Sequence, residues 1–280
     1  MPETFKVMTF NIRGSYHRDG VNAWKNRADL SARIIQKHAP DLIGFQEFQR
    51  GNLRYYDSHL PEYRYSLGPE YENYPPRAHN AIYWNPERLE LLDTGGFWLS
   101  ASPEKFSGSW GTHQKRSANW ARFRLAQDST EFIHLNTHLD HRSVEARRQG
   151  ARLIIRRIDE LAGRETPTII TGDFNADPDS PVHRIFTDAG FSDAHWLAGN
   201  PPARTFHKFQ GNSFVPRRPE REGRLDWFLL RSVNAETQPT DTSCQVVQDA
   251  EPPIYPSDHY PVVADLSFQH TGTSDRLTQI

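Results

Sequence analysis

The sequence predicts a single α/β domain with many strands, and three observations carry that reading. Short apolar runs of strand length alternate with longer, half-apolar stretches of helix length. No linker, internal repeat, heptad run or low-complexity tract divides the 280 residues. That length fits one large domain, taken here as residues 1–269, with a frayed tail over 270–280.

In chain order, Lys6–Ile12 (KVMTFNI) is the first buried strand and Asp41–Gln46 (DLIGFQ) the second. Between them, Asn22–His38 carries Leu30, Ile34 and Ile35 among charges, the spacing of a half-buried helix, and Pro40 ends it. The segment LPEYRYSLG leads from a loop into a strand. Further strands are expected at Ala81–Trp84, Leu89–Leu92, Trp120–Leu125, Phe132–His138, Thr168–Thr171, Leu225–Leu230 and Val262–Phe268. A second helix runs from a capping Ser143 to Leu161, with Glu145 in its first turn and Gly163 beyond its end. A short third helix starts at Ser180-Pro181 and closes at Gly190. Residues 100–119 and 200–223 are polar and turn-rich, long enough to be functional loops.

Composition removes several classes. Hydrophobic residues make up 36% and include seven Trp, enough for a substantial core. Mean hydropathy is −0.76, and no apolar run approaches the ~18 residues of a membrane span. One cysteine, Cys244, excludes an internal disulfide framework and a Cys-rich zinc site. The first residues do not read as a signal peptide, so cytoplasm is the expected location. The formal charge of −2 argues mildly against a general duplex-DNA binder, which needs a basic excess or face.

A carboxylate, amide or imidazole recurs at strand ends or beside them. Asn11 ends KVMTFN, Glu47 ends DLIGFQE, and His138 ends FIHLNTH. Asp173 and Asn175 follow TIITG, Asp226 lies in RLDWFLL, and Asp258-His259 precede YPVVADL. Polar groups buried without partners are costly, so their repetition points to strand ends converging on one rim. Such a set suits phosphoryl transfer to water. Hard oxygen donors such as Glu47, Asn11 and Asp258 suit Mg²⁺ or Mn²⁺. Asp173 and Asn175, at i and i+2, face one way on an extended backbone; one can activate water while the other donates to a phosphoryl oxygen. His259 backed by Asp226 can donate to developing negative charge.

In order and spacing, MTFNIRG, IGFQE, NTHLDHRS, TGDFNADPDS, RLDWFLL and PSDHYPVVADL resemble the endonuclease/exonuclease/phosphatase (DNase I-like) superfamily, from about Lys6 to Phe268. The resemblance implies a four-layer α/β sandwich, two mixed β-sheets flanked by helices, with the active site at one end. It further implies Glu47 as principal metal ligand with Asn11 beside it, and Asp258 as an acid near the metal. Asp173 matches the water-orienting base, Asn175 the phosphate-contacting amide, and Asp226 with His259 the carboxylate–imidazole pair. His138 stands where phosphatase and sphingomyelinase branches place a phosphate-contacting His and abasic-site endonucleases a Tyr, which favours the non-DNA branches. DGVNAWKNR, FWLS, NTHLDHRSVEAR and RTFH resemble a bacterial-type branch, and through those motifs Asp140, His141 and His207 are expected to line the pocket. Arg116, a basic residue just before NWARF, is added to that substrate-binding set.

Blander readings stand beside these. GDFN alone is a strand followed by an Asx turn; with SDH, QE and NxR it is a catalytic motif. His134, His138 and His141 lack a fourth strong ligand for zinc, and His134 is expected to be a satisfied buried histidine. Arg148, Arg152 and Arg156 make a basic helix stripe that is more often solvated. The Tyr-rich segment 55–74 serves core and rim packing more readily than base stacking. Residues 201–224 carry a local excess of four positive charges beside Asp226, which would attract an anion or merely be solvated. The expected function is hydrolysis of a phosphodiester or phosphomonoester on a small or exposed substrate: a sugar phosphate, a lipid head group or a nucleotide. A nuclease acting on DNA or RNA is the second reading, and a catalytically silent binding module the third.

Overall fold

In the computed structural model, residues 4–69, 78–162, 166–216, 223–231 and 243–268 are described. From the N-terminus run β1 (Phe5–Asn11), α1 (Trp24–His38), β2 (Leu42–Gln46), α2 (Arg50–His59), β3 (Arg64–Ser66), β4 (Ile82–Trp84), β5 (Leu89–Trp98), β6 (Ser117–Leu125), β7 (Glu131–His138) and α3 (Val144–Ala162). There follow β8 (Thr168–Asp173), α4 (Pro181–Asp188), β9 (Ser192–Asp193), α5 (Ala194–Leu197), β10 (Asp226–Arg231), β11 (Ser243–Val246) and β12 (Val262–Leu266). The strands form two six-stranded sheets, ordered β11-β12-β1-β2-β4-β3 and β5-β6-β7-β8-β10-β9. Each is mixed, because β1–β2 and β7–β8 are parallel and the other neighbours antiparallel. A parallel pair needs a crossover, and α1 and α3 supply the two.

Alternation along the strands explains the layers. Phe5 and Val7 of β1, Leu42 of β2, Phe132 of β7, Ile169 of β8 and Phe228 of β10 face inward and join in one core between the sheets. Their odd neighbours face outward: Met8, Phe10, Ile43 and Phe45 pack with Leu30, Ile34 and Ile35 of α1. Ile133, Leu135 and Ile170 pack with Leu153, Ile154 and Ile158 of α3 on the other side. Two sheets with helices outside make the four-layer α/β sandwich.

Following the inner face along each strand, the chemistry changes from apolar to polar. On β1 it reads Phe5, Val7, Thr9, Asn11; on β7, Phe132, His134, Asn136, His138; on β8, Ile169, Thr171, Asp173. The middle rows meet in a buried polar network. Gln46 Nε2 donates to Thr9 Oγ1 (3.0 Å) and Asn136 Oδ1 (2.7 Å), and Asn136 Nδ2 donates across the sandwich to the carbonyls of Phe45 and Ala81 (2.8 and 2.9 Å). His134 Nε2 meets Thr171 Oγ1 at 2.8 Å, and burial pushes its pKa down to about 3, so it is a neutral interior group. At Gly44 the sheets approach closely: a Cβ there would collide with Thr171 Oγ1 and lie 2.9 Å from Asn136 Cγ.

The helix ends agree with the sequence signals. Ser143 Oγ accepts from Ala146 N and Ser180 Oγ from His183 N, while Ala39 turns left-handed (φ 43°) before Pro40 to close α1. Several elements depart from expectation: β9, α5 and β11 were not foreseen, β6 begins at Ser117 rather than Trp120, and two more differ for a reason the structure shows. Helix α2 was not expected, because it buries only Asn52 and Tyr56; its start is fixed instead by Asn52 Oδ1 accepting from Gln49 N at 2.8 Å. Strand β5 runs on to Trp98 rather than stopping at Leu92, since Gly95 and Gly96 pair with Trp120 and Asn119 of β6. Arg217, Arg218, Arg221 and the tail from His270 lie outside the described residues, as do residues 70–74 of the Tyr-rich segment.

Candidate active site

The last inner-face row of both sheets forms one buried cluster. Asn11 ends β1 in register with Gln46, the residue before Glu47. In the second sheet His138, Asp173 and Asp226 stand side by side in register on β7, β8 and β10. Asp258 and His259 arrive from the turn before β12, where Ser257 Oγ donates to the Asn11 carbonyl at 2.6 Å.

Asp173 is the centre. Its Oδ2 accepts from Asn11 Nδ2 (3.0 Å) and lies 3.2 Å from His138 Nε2 and 3.8 Å from His259 Nε2, while Oδ1 accepts from Asn175 N (2.9 Å). Burial raises its pKa, and the neighbouring Asp226 adds to the rise against the pull of His259. His259 Nδ1 donates to Asp226 Oδ2 at 2.8 Å, which turns Nε2 toward the cluster. Burial opposes a charge on His259, but Asp226 and Asp173 outweigh it and the pKa is raised, so the ring is an imidazolium. Burial also lowers His138 far below its ordinary value, with Arg116 adding to the effect. Its Nε2 accepts from Asn175 Nδ2 at 2.9 Å, and the same amide donates to the Leu139 carbonyl at 3.0 Å.

Glu47 sits at the edge of this cluster with a left-handed backbone (φ 57°) that swings its carboxylate off the end of β2. Burial would raise its pKa, but the contact with His17 and the charges of Arg13 and His259 together hold it well below the carboxylate range. Its oxygens face His17 Nε2 (3.3 Å) and Asn11 Nδ2 (3.4 Å). Arg13 chelates Asp19 (3.0 and 3.2 Å) and reaches toward Asp258 Oδ2 (3.8 Å), whose pKa burial raises.

The residues fit a divalent cation. Among the described residues Asp173, Asp226 and His259 place oxygen and nitrogen atoms within 4.8 Å of one another, and Asp226 Oδ1 is buried without a hydrogen-bond partner; with His259 protonated, it is the carboxylates of this group and not the ring that suit a cation. Glu47 adds a permanently ionised hard donor beside them.

The Endonuclease/Exonuclease/phosphatase family model matches residues 8–259. The chain belongs to that family. A family member from Bacteroides vulgatus is 29% identical, with a TM-score of 0.84, over 95% of this chain and 100% of that one. A Bacteroides thetaiotaomicron mannosyl-6-phosphatase is 27% identical, with a TM-score of 0.82, over 94% of this chain and 100% of that one. Nocturnin from Xenopus laevis is 26% identical over 95% of this chain and 73% of its own length. The endonuclease/exonuclease/phosphatase fold anticipated from the motifs is therefore the fold observed.

The structure brings eight of the residues singled out in the sequence into one cluster: Asn11, Glu47, His138, Asp173, Asn175, Asp226, Asp258 and His259. Asn11 stands differently from a simple metal ligand. Its Oδ1 accepts from Arg13 N (3.1 Å), so its nitrogen, not its oxygen, faces Glu47 and Asp173. Arg116 and His141 flank the cluster with Nη2 3.5 Å from Nδ1, and Arg116 interacts electrostatically with Asp173 and Glu47. Asp140 is occupied by hydrogen bonds from two loops. Its oxygens accept from Thr112 Oγ1 and from the amides of His113, Gln114, Arg142 and Ser143, which ties two loops together and keeps it strongly ionised against its burial. His207 stacks on Tyr260 at 3.9 Å and accepts from Gly211 N through Nδ1, while its main chain donates to the Asp258 carbonyl. It braces the Asp258–His259 turn. Sequence reading assigned nothing to His17, Thr205 or Ser257. Arg13 lay in the NxR motif, Thr205 in RTFH and Ser257 in SDH, but none was given a role; Thr205 Oγ1 accepts from both Leu225 N and Asp226 N, a contact invisible in one dimension.

Proposed function

We propose that this protein is a divalent-cation-dependent hydrolase of phosphate esters, acting on a small or exposed phosphomonoester or phosphodiester. The observation that carries the reading is the convergence on one carboxylate, Asp173, of an amide, a neutral imidazole and a carboxylate-backed imidazolium, with ionised Glu47 alongside. Glu47 and Asp258, with Asn11 at their side, would hold Mg²⁺ or Mn²⁺, which when bound polarises the phosphoryl oxygen and stabilises charge on the leaving oxygen. Asp173, in its ionised form, orients and deprotonates the attacking water. Its raised pKa makes it a stronger base and puts the acid limb of activity above the ordinary carboxylate range. With substrate bound, Asn175 would exchange its hydrogen bond to His138 for one to a phosphoryl oxygen, with His138 beside it, and His259 donates through Nε2 to the charge that develops. Arg116 and His141 attract the anion from the flank.

Similarity to a mannosyl-6-phosphatase supports a sugar phosphate as the first substrate class to try; nucleotides and phospholipid head groups follow. The basic residues of 201–224 favour a nuclease as second reading, against a formal charge of −2. The test is a Mg²⁺- and Mn²⁺-supplemented screen of p-nitrophenyl phosphate, bis-p-nitrophenyl phosphate, sugar phosphates, nucleotides, sphingomyelin and oligonucleotides at several salt concentrations. Small esters are expected to turn over with a KM that changes little with salt. Cleavage of oligonucleotides faster than of any small ester, with affinity falling steeply in salt, would establish the nuclease instead.

A further inference from the structure

Arg27 is fully buried and has no carboxylate partner within salt-bridge distance among the described residues. Its guanidinium donates instead to backbone carbonyls from three places in the chain. Nε donates to Asn22 O (2.9 Å), and Nη1 to both Ile12 O and Pro256 O (2.8 Å each). Nη2 donates to Arg13 O and, at 3.4 Å, to Gly14 O. Trp24 and Phe209 cover its faces at 5.0 and 5.8 Å. Asn22 reinforces the same junction: its Oδ1 accepts from Tyr255 N (2.8 Å) and its Nδ2 donates to Pro253 O (3.3 Å).

A buried cation is expensive, and a core helix position has apolar alternatives that cost less. What no apolar side chain supplies is a planar fork of donors reaching two backbone segments at once. Those segments matter for the site. Ile12, Arg13 and Gly14 directly follow Asn11, the amide that holds Asp173. Pro256 directly precedes Ser257, Asp258 and His259. At this point β1 has ended and β12 has not begun, and each segment keeps only isolated backbone bonds to other parts of the chain, Ile12 N to Gln46 O on one side and the Phe206–His259 bridge on the other, none of which joins the two to each other.

We propose that Arg27, with Asn22 beside it, is a positioning residue that clasps the end of β1 to the turn before β12 and so sets the distance between the Asn11–Asp173 pair and His259. The inference rests on the phosphoesterase reading for its kinetic consequence only. Arg27 touches neither substrate nor the reacting atoms; it acts through the two segments it joins. An ångström of drift between them misplaces the donor to the transition state relative to the base.

Arg27→Lys keeps the charge but has one nitrogen in place of three, and its three protons cannot hold the Ile12, Arg13, Asn22 and Pro256 carbonyls together. In the full chain, kcat on bis-p-nitrophenyl phosphate with Mn²⁺ should fall about 10- to 100-fold while KM stays within about twofold. Amide hydrogen exchange should quicken at residues 12–15 and 257–260, with β7 and β8 unchanged. Asn22→Ala loosens only the 253–256 side and should give the same pattern at about threefold to tenfold in kcat. Folded Arg27→Lys with wild-type kcat and wild-type exchange overturns the proposal, and so does exchange that quickens across the whole protein. If Arg27→Lys does not fold, Asn22→Ala decides on the same two outcomes. If the wild type cleaves no phosphoester, the exchange pattern still tests the clasp, and only the functional reading fails.

Discussion

Replacing Asp226 by Asn tests the imidazolium directly. Asp226 is buried, holds His259 Nδ1 at 2.8 Å, and with Asp173 raises the His259 pKa against the cost of burial. The amide oxygen can still accept from Nδ1, so the ring keeps its orientation while losing its counter-charge. Two consequences follow, with opposite dependence on pH. At the optimum the donor to the developing charge weakens, and removal of such a donor costs about 10²–10³ in kcat, or roughly 3–4 kcal/mol. At higher pH the loss should grow. A carboxylate favours the protonated ring, so its removal lowers the His259 pKa. The wild-type alkaline limb should lie above the ordinary histidine range, and in the variant it should move down toward or below that range, since desolvation then acts with less opposition. The assay is kcat against pH on a small phosphoester, wild type beside Asp226→Asn, with circular dichroism to confirm folding. A kcat within about threefold of wild type and an unmoved alkaline limb would refute the assignment of His259 as a charged donor.

Chelation by EDTA should abolish turnover, with Mg²⁺ or Mn²⁺ restoring it. Glu47→Gln should fold normally yet bind Mn²⁺ at least about tenfold more weakly by calorimetry, since a neutral amide is a poorer ligand for a hard cation. Gly44→Ala should push the sheets apart at Thr171 and Asn136, at a cost of about 1–3 kcal/mol. Its Tm by calorimetry should fall by about 2–4 °C for each kcal/mol; an unchanged Tm would show that the sandwich yields there. Asp193 is buried between Arg224 (2.7 Å) and His183 (3.0 Å), which hold its pKa down against desolvation. A depressed folded pKa gives stability that is present above the unfolded value of about 3.9 and is lost as pH falls through the folded one. Asp193→Asn should therefore cost about 3–5 kcal/mol at neutral pH and flatten the acid loss below the carboxylate range in urea titrations.

The alternation that hides Phe5 and exposes nothing of Asn11 is written in one dimension, which is why most strands and the polar residues at their ends were legible, while the sandwich class came from the resemblance of the motifs to a known family. The motif order supplied their convergence. What was not legible depends on through-space partners. Nothing in NTHLDH says that the Asp140 carboxylate is occupied by amides from residues 113, 114, 142 and 143, so the loop tie it makes was not foreseen. The left-handed backbone at Glu47, which frees its carboxylate from β2, has no glycine to announce it. The Asn11 side chain was expected to offer oxygen to a metal, but which end of an amide faces its neighbours is decided by Arg13 N, two residues on. Helix α2 was missed because its stability comes from a capping amide and two buried side chains rather than from an apolar stripe.

The graded inner face separates two kinds of mutational freedom. From Phe5 to Asn11 the strand advances six residues, roughly 20 Å at about 3.3 Å per residue. Changes in the last row thus act beyond the reach of direct contact with the apolar rows that hold the sheets together. Because His138, Asp173 and Asp226 share one hydrogen-bonded row, their spacing is dictated by the ladder, not by the identity of the side chains. A lineage could exchange an imidazole for a phenol, or reshape the surrounding loops for another leaving group, while inheriting the same anchoring points for the reacting atoms. The sandwich works as a fixed bench on which the fittings are replaceable, and divergence of substrate is the change it resists least.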